Sequence, residues 1–188
     1  MQRREFMGFM GAAVWPFTAS AQPSEADFAT AGRGRASMSE IKTEFLFTIT
    51  LEFDIHILGD TPYGIRRIGR LITGSFEGPK LKGSVLPGGG SWSILRRDDV
   101  LEIEVRITLE TDDKQHIYMH WKGLRHGPRE VIDRLNRGEN VDPATYYFRT
   151  TPYFETSSKK YDWMNRICSI AAGSRKVNER TLEVFQVL

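Results

Sequence analysis

The chain has 188 residues, 40% of them hydrophobic and 27% charged, with 26 Lys plus Arg against 24 Asp plus Glu and a formal net charge of +2. That length suits one domain with a real core rather than two. The near balance of charge excludes the concentrated positive face of a nucleic-acid binder, and a single cysteine, Cys168, excludes an intramolecular disulfide.

At the start, Arg3-Arg4-Glu5-Phe6 leads into a weakly apolar run, Met7 to Phe17, and then Ala19-Ser20-Ala21. A positive start, an apolar segment and a small-x-small site read as a twin-arginine export signal over residues 1–21, cleaved after Ala21. The run is far below the roughly 20 residues that span a bilayer, so no stable membrane anchor is expected after cleavage; a short anchor that stays attached is the alternative. Losing Arg3, Arg4 and Glu5 removes two positive charges and one negative, and the net charge falls from +2 to +1. The expected location is periplasmic, while an internal start at Met38 would give a cytoplasmic form. Residues 22–40 are rich in Ala, Ser, Gly and charge without an apolar period and read as a flexible leader. Residues 41–188 then form the single domain.

From Phe45 the dominant period is two. Phe45, Phe47, Ile49, Leu51, Phe53 and Ile55 alternate with Thr48, Thr50, Glu52 and Asp54, and Leu101, Ile103, Val105, Ile107 and Leu109 alternate with Glu102, Glu104, Arg106 and Thr108. Both are half-buried strands. Shorter strands are expected at Ile65–Phe76, Lys82–Leu86, Ser91–Arg96, Gln115–Trp121, Ala144–Thr150, Tyr153–Thr156, Trp163–Ala172 and Thr181–Val187, with Gly78-Pro79 and Pro87-Gly88-Gly89-Gly90 as turns. Pro128 to Gly138 has apolar residues at helical spacing between a proline and a glycine, which predicts one short helix. Nine or ten strands and one helix in one domain indicate an all-β sandwich or a closed barrel. A barrel built from these strands has an apolar lumen and a polar exterior.

Two segments carry a resemblance: Gly78-Pro79-Lys80-Leu81-Lys82-Gly83-Ser84-Val85-Leu86-Pro87-Gly88-Gly89-Gly90-Ser91-Trp92 and Tyr147-Phe148-Arg149-Thr150-Thr151-Pro152-Tyr153-Phe154-Glu155-Thr156. With Gly74-Ser75-Phe76, Tyr161-Asp162-Trp163-Met164-Asn165 and Val184-Phe185-Gln186-Val187, they make residues Glu44 to Leu188 resemble a bacterial and fungal domain-of-unknown-function family. The resemblance implies a small closed antiparallel β-barrel, lipocalin-like or allene-oxide-cyclase-like. It also implies an acidic residue just before the motif tryptophan, where this chain has Ser91, and similar proteins mostly lack an export signal.

Among residues able to carry chemistry, Arg149 can fork onto a carboxylate or phenolate and Glu155 can act as acid or base. A structural Arg149–Glu155 ion pair at the rim is the alternative. Trp92, Tyr118 and Trp163 are aromatic side chains with polar tips that can stack on a planar ligand. Asn165, two residues after Trp163 on the expected strand, can fix a carbonyl. Arg106 opposes the aliphatic face of its strand and is retained as part of a polar network with Glu104. His116 and His120 sit about 13 Å apart on a strand, too far to share one metal. Cys168 reads as buried packing. No Lys-Ser/Thr follows the glycine run, so it is not a phosphate loop. The sequence therefore assigns neither cofactor nor metal.

The expected function is binding of a small hydrophobic or aromatic acid in the lumen, either with isomerase or cyclase chemistry or without chemistry as a lipocalin-like carrier. A partner-binding β-domain with a filled core is the third reading. A homo-oligomer is compatible with the sequence, and nothing in it compels one.

Overall fold

The computed structural model describes residues 40–176 and 179–188; the export signal, the leader before Glu40 and the alternative start at Met38 lie outside the described residues. Eight antiparallel strands follow the chain in order: β1 (Thr43–Thr61), β2 (Gly64–Glu77), β3 (Lys82–Leu95), β4 (Leu101–Thr111), β5 (His116–His126), β6 (Tyr147–Glu155), β7 (Ser169–Lys176) and β8 (Glu179–Val187). Each pairs with its neighbour, and β1 pairs also with β8, closing the barrel. One helix, α1 (Arg129–Asn136), lies between β5 and β6. The fold is thus the closed antiparallel barrel that the resemblance implies, one of the two architectures the alternation leaves open, with the expected short helix.

Several boundaries differ from expectation, each for a local reason. A register shift between Phe45 and Phe47 against β8 buries Leu46 and Phe47 together and turns Phe45 outward, so the inward face of β1 starts at Phe47. Pro87-Gly88-Gly89-Gly90 is not a turn. It lies inside the continuous strand β3, where the pairing with β4 shifts between Leu86 and Gly90, and Gly88 takes a φ of +99° that a side chain would resist. Ala144–Thr150 and Tyr153–Thr156 become the single strand β6, with Pro152 buried within it. Since Pro152 donates no backbone hydrogen bond, it fits a strand whose ladder with β7 is confined to Arg149↔Ala172 and Thr150↔Ala171. Trp163 and Asn165 are not on a strand: Asp162–Arg166 is a short 3-10 helix in the β6–β7 connection. Cys168 is exposed just before β7 rather than buried.

One end of the barrel is filled. Phe47, Phe76 and Phe154 meet edge to face with ring centroids 5.6 and 6.0 Å from Phe47, and Leu109, Ile117 and Val184 are fully buried around them. The β6–β7 connection closes this end with Tyr161 and Met164, both buried. Asp113, in the β4–β5 turn, pins that connection: Lys160 Nζ donates to its Oδ2 at 2.7 Å and Tyr161 Oη to its Oδ1 at 3.1 Å. Asn165 adds a clasp, accepting from Thr156 N at 2.8 Å and donating back to Thr156 O at 2.9 Å.

The Lys160 ammonium, with the Thr111 and Tyr161 hydroxyls, holds the Asp113 carboxyl down to about 2. A carboxyl depressed in the folded state contributes stability above its unfolded value, and that contribution disappears as pH falls through the folded value. Asp113→Asn should therefore lower the urea midpoint at about pH 6 and make progressively less difference as the pH falls from about 4 towards 2. An equal effect of Asp113→Asn at both extremes would sink this role for the carboxylate.

Candidate functional site

The other half of the barrel is open inside. At the end bearing the β1–β2 hairpin, the inward side chains enclose a cavity of about 440 Å³, within the size range of small-molecule sites. Its walls are apolar: Leu51, Phe53 and Ile55 from β1, Ile103 and Val105 from β4, Trp121 from β5 and Phe148 from β6. Ser91 and Ser93 of β3 face it together, their hydroxyl oxygens 2.9 Å apart. The departure at Ser91 thus falls on a lumen position. Helix α1 lies over this end, burying Leu135 and presenting Asn136 to the cavity. It ends where Gly138, at φ +80°, lets its backbone N–H reach Leu135 O.

Into this apolar chamber project four arginines: Arg67 of β2, Arg125 of β5, Arg175 of β7 and Arg180 of β8. Each stands on the inward parity of its strand, Arg125 in line with Ile117, Met119 and Trp121, and Arg180 in line with Leu182 and Val184. Strand pairing sets Arg67 beside Ile57 and Ser93, Arg125 beside Leu101 and Phe148, and Arg175 directly opposite Arg180. Like charges so placed repel.

Arg125 is only 7% exposed. Burial, then repulsion from Arg175, Arg67 and Arg180, pushes its guanidinium down to about 9. Burial and Arg175 push Arg180 to about 10, with Glu52 acting the other way. Burial lowers Arg67, and burial with Arg67 lowers Arg175. Even so, Arg125 and Arg180 stay well above neutrality, and both are charged at pH 7. Arg175 Nη1 donates to Asn136 Oδ1 at 3.3 Å and its backbone N–H to Tyr146 Oη at 3.1 Å.

Outside the barrel, arginines find carboxylates: Arg96 pairs with Asp98 and Glu102, and Arg134 and Arg137 pair with Glu139. Inside, the lining holds no Asp or Glu among the described residues. Of the four buried side-chain polar atoms without a hydrogen-bond partner among the described residues, three are the Nε atoms of Arg67, Arg125 and Arg175. Buried donors of this kind are normally satisfied. Their convergence sets unsatisfied donors among apolar side chains in one cavity.

The residues singled out by sequence lie elsewhere. Arg149 and Glu155 are on the exposed face of β6, six positions apart, which is about 20 Å along a strand. Among the described residues they form no ion pair with each other. Arg149 bonds the Phe148 carbonyl at 2.9 Å and lies over the Tyr147 ring. Trp92 is outward and 40% exposed, with Arg106 over its ring and Glu104 paired to Arg106. Trp92 and Arg149 share an open outer groove with Tyr147 and Ile170.

Tyr118 faces out, stacks on His120 and pairs in register with Glu155. His116 lies 3.3 Å from Glu110, and His120 stacks on Tyr153. Trp163, with Lys80 over its ring, and Asn165 sit at the filled end. The outer groove gathers Trp92 and Arg149, with Arg106 over the Trp92 ring, and the lumen receives none of the seven candidates. Inward parity points to Arg125 and Arg180 directly, in line with Trp121 and with Leu182; at Arg67 a register shift in β2 hides it, and at Arg175 the inward positions before it are Ser169, Ala171 and Gly173.

The family model described as "Protein of unknown function (DUF3237)" matches residues 41–187. A UPF0311 protein of Rhodopseudomonas palustris is 36% identical over 149 residues, covering 79% of this chain and 97% of the relative. Its crystal structure, described as a conserved protein of unknown function, superposes with a TM-score of 0.77 over 80% of this chain and 100% of that one. A beta-barrel like protein from Acinetobacter baumannii gives 0.70 at 35% identity, over 80% of this chain and 98% of that one. An enzyme from Penicillium herquei, 20% identical, gives 0.62 over 81% of this chain and 98% of that one, a likeness of fold.

An uncompensated buried charge weakens the ligand-free protein. Arg125→Met, which keeps an unbranched stem and removes the charge, should raise stability by about 1–3 kcal/mol in urea denaturation. A loss of that size, as for an ordinary core truncation, would show that the Arg125 charge is already compensated inside the barrel.

Proposed function

Since the chain belongs to the DUF3237 family of proteins of unknown function, its activity has to be read from its own lumen, and we propose that it binds a small organic acid there. The supporting observation is the convergence of Arg67, Arg125, Arg175 and Arg180 on an otherwise apolar cavity whose described lining carries no carboxylate. The guanidiniums supply charge and forked donors for the acid group. Phe53, Ile103, Trp121 and Phe148 supply the surface against which its carbon body is desolvated. The anion-anchor role expected of Arg149 passes to these inward arginines.

Of the two functional variants, carriage without chemistry is the better supported. The described lining includes no Asp, Glu, His, Cys or Lys, the side chains that ordinarily move protons near neutral pH. An isomerase or cyclase reading would draw on the guanidiniums alone, as electrostatic stabilisers of a developing oxyanion. We propose further that the protein does this work in the periplasm, on the strength of Arg3-Arg4 and the run to Ala21. Replacing Arg3 and Arg4 together by Lys should leave the protein in the cytoplasm on fractionation of the expressing cells. Unchanged appearance in the periplasm would sink the twin-arginine route.

Native mass spectrometry of the purified protein, followed by denaturation and identification of what is released, should yield a defined organic acid, recovered unaltered after long incubation. Arg125→Met should lose it while remaining folded. A wild-type protein that carries nothing and takes up no acid from a cell extract would count against the proposal and favour a lumen closed to ligands.

A further inference from the structure

We propose that the ligand of the lumen is an organic dianion whose two negative charges lie close together, a phosphate monoester or a vicinal dicarboxylate, attached to an apolar body. This rests on the acid-binding reading above and narrows it to a chemical class.

The argument is one of donors, acceptors and charge. Arg67, Arg125 and Arg175 each hold a buried Nε with no hydrogen-bond partner, and none of the three is in an ion pair with a carboxylate among the described residues. They make one cluster rather than two. Arg125 is repelled by both Arg175 and Arg67, and Arg175 by Arg67, so an anion near the middle is felt by all three.

A guanidinium presents a planar fork of N–H donors and no acceptor, whereas a carboxylate offers two oxygens. One carboxylate satisfies one fork in bidentate fashion, or divides its oxygens between two. A third guanidinium can then be reached only by a single lone pair rather than a fork, and one negative charge leaves the cluster most of its repulsion. A phosphate monoester, with three outer oxygens and close to two charges at neutral pH, or two adjacent carboxylates, with four oxygens, can reach all three forks at once. Ser91 and Ser93, with hydroxyls on the same cavity, add donors for further oxygens.

The apolar body follows from the side chains among which the guanidiniums stand. Phe53, Ile103 and Phe148 offer a hydrated inorganic ion no hydrogen bond, and Trp121 offers one indole N–H. Displacing water from those side chains requires carbon. Inorganic phosphate alone should therefore bind more weakly than an aromatic phosphate monoester.

Isothermal titration calorimetry of the full protein at about pH 8, where a phosphate monoester is doubly charged, tests this with benzoate, phthalate, phenyl phosphate and inorganic phosphate as probes. At least one of phthalate and phenyl phosphate should bind at least about tenfold tighter than benzoate, in keeping with the strength of charge-assisted pairs. Whichever of the two binds more tightly identifies the source of the double charge. The advantage over benzoate should shrink in Arg67→Met and in Arg125→Met, and more steeply with added salt than benzoate binding does. Benzoate binding as tightly as both dianions would overturn the dianion assignment while leaving the acid-binding lumen standing. Binding of none of the three aromatic acids would overturn both.

Discussion

Closure of the sheet by β1 is the constraint from which the rest of the molecule follows. This strand runs Thr43–Thr61, and pairs with β8 from Thr43 to Glu52 and with β2 from Thr48 to Thr61. A single strand thereby removes both edges that an open eight-stranded sheet would expose. Closure also creates an inside, and alternation then decides its contents, because every second residue of every strand must point there. At the end where β1 begins, those residues are large and aromatic and fill the lumen. At the end where it joins β2, they are aliphatic, serine and arginine, and they leave a chamber.

The chamber runs against the usual rule that buried charge is paired. A cluster of guanidiniums among Phe53, Trp121 and Phe148 is held in place by the strands that carry it, not by mutual attraction. Arg175 and Arg180 face each other because the register of β7 against β8 pairs them. Arg125 is committed inward by the parity of Ile117, Met119 and Trp121. The favourable burial of the filled half fixes strand positions, and those positions impose repulsion on the open half. That repulsion is the observation on which the proposed acid-binding function rests.

Much of the barrel was legible in the sequence, because alternation survives wherever a strand has one wet face. Phe47 to Ile55 and Leu101 to Leu109 announce their inward sides directly. What misled was punctuation. Pro87-Gly88-Gly89-Gly90 has the composition of a turn, but a bulge uses the same residues when both neighbouring strands continue past it. Pro152 similarly suggested a break where the strand runs through.

The chamber was harder to read for a related reason. Polar tips cluster in sequence near the motif tryptophan and in the Tyr147–Thr156 segment, which face outward. The lumen instead draws single arginines from four strands far apart in the chain. Arg125 and Arg180 continue an apolar alternation, Arg67 and Arg175 do not, and only closure shows that the four meet.

The division of the lumen also separates close packing from buried charge. The three-phenylalanine cluster and the Asp113 clasp lie at the end away from the arginines. Helix α1 belongs to the arginine end. Its Leu135 anchors it to the core, and its Asn136 bonds Arg175. The arginine that shares the chamber with Arg67 and Arg125 is thus also the one that holds the helix end, so its guanidinium ties the charge of the lumen to the seat of α1.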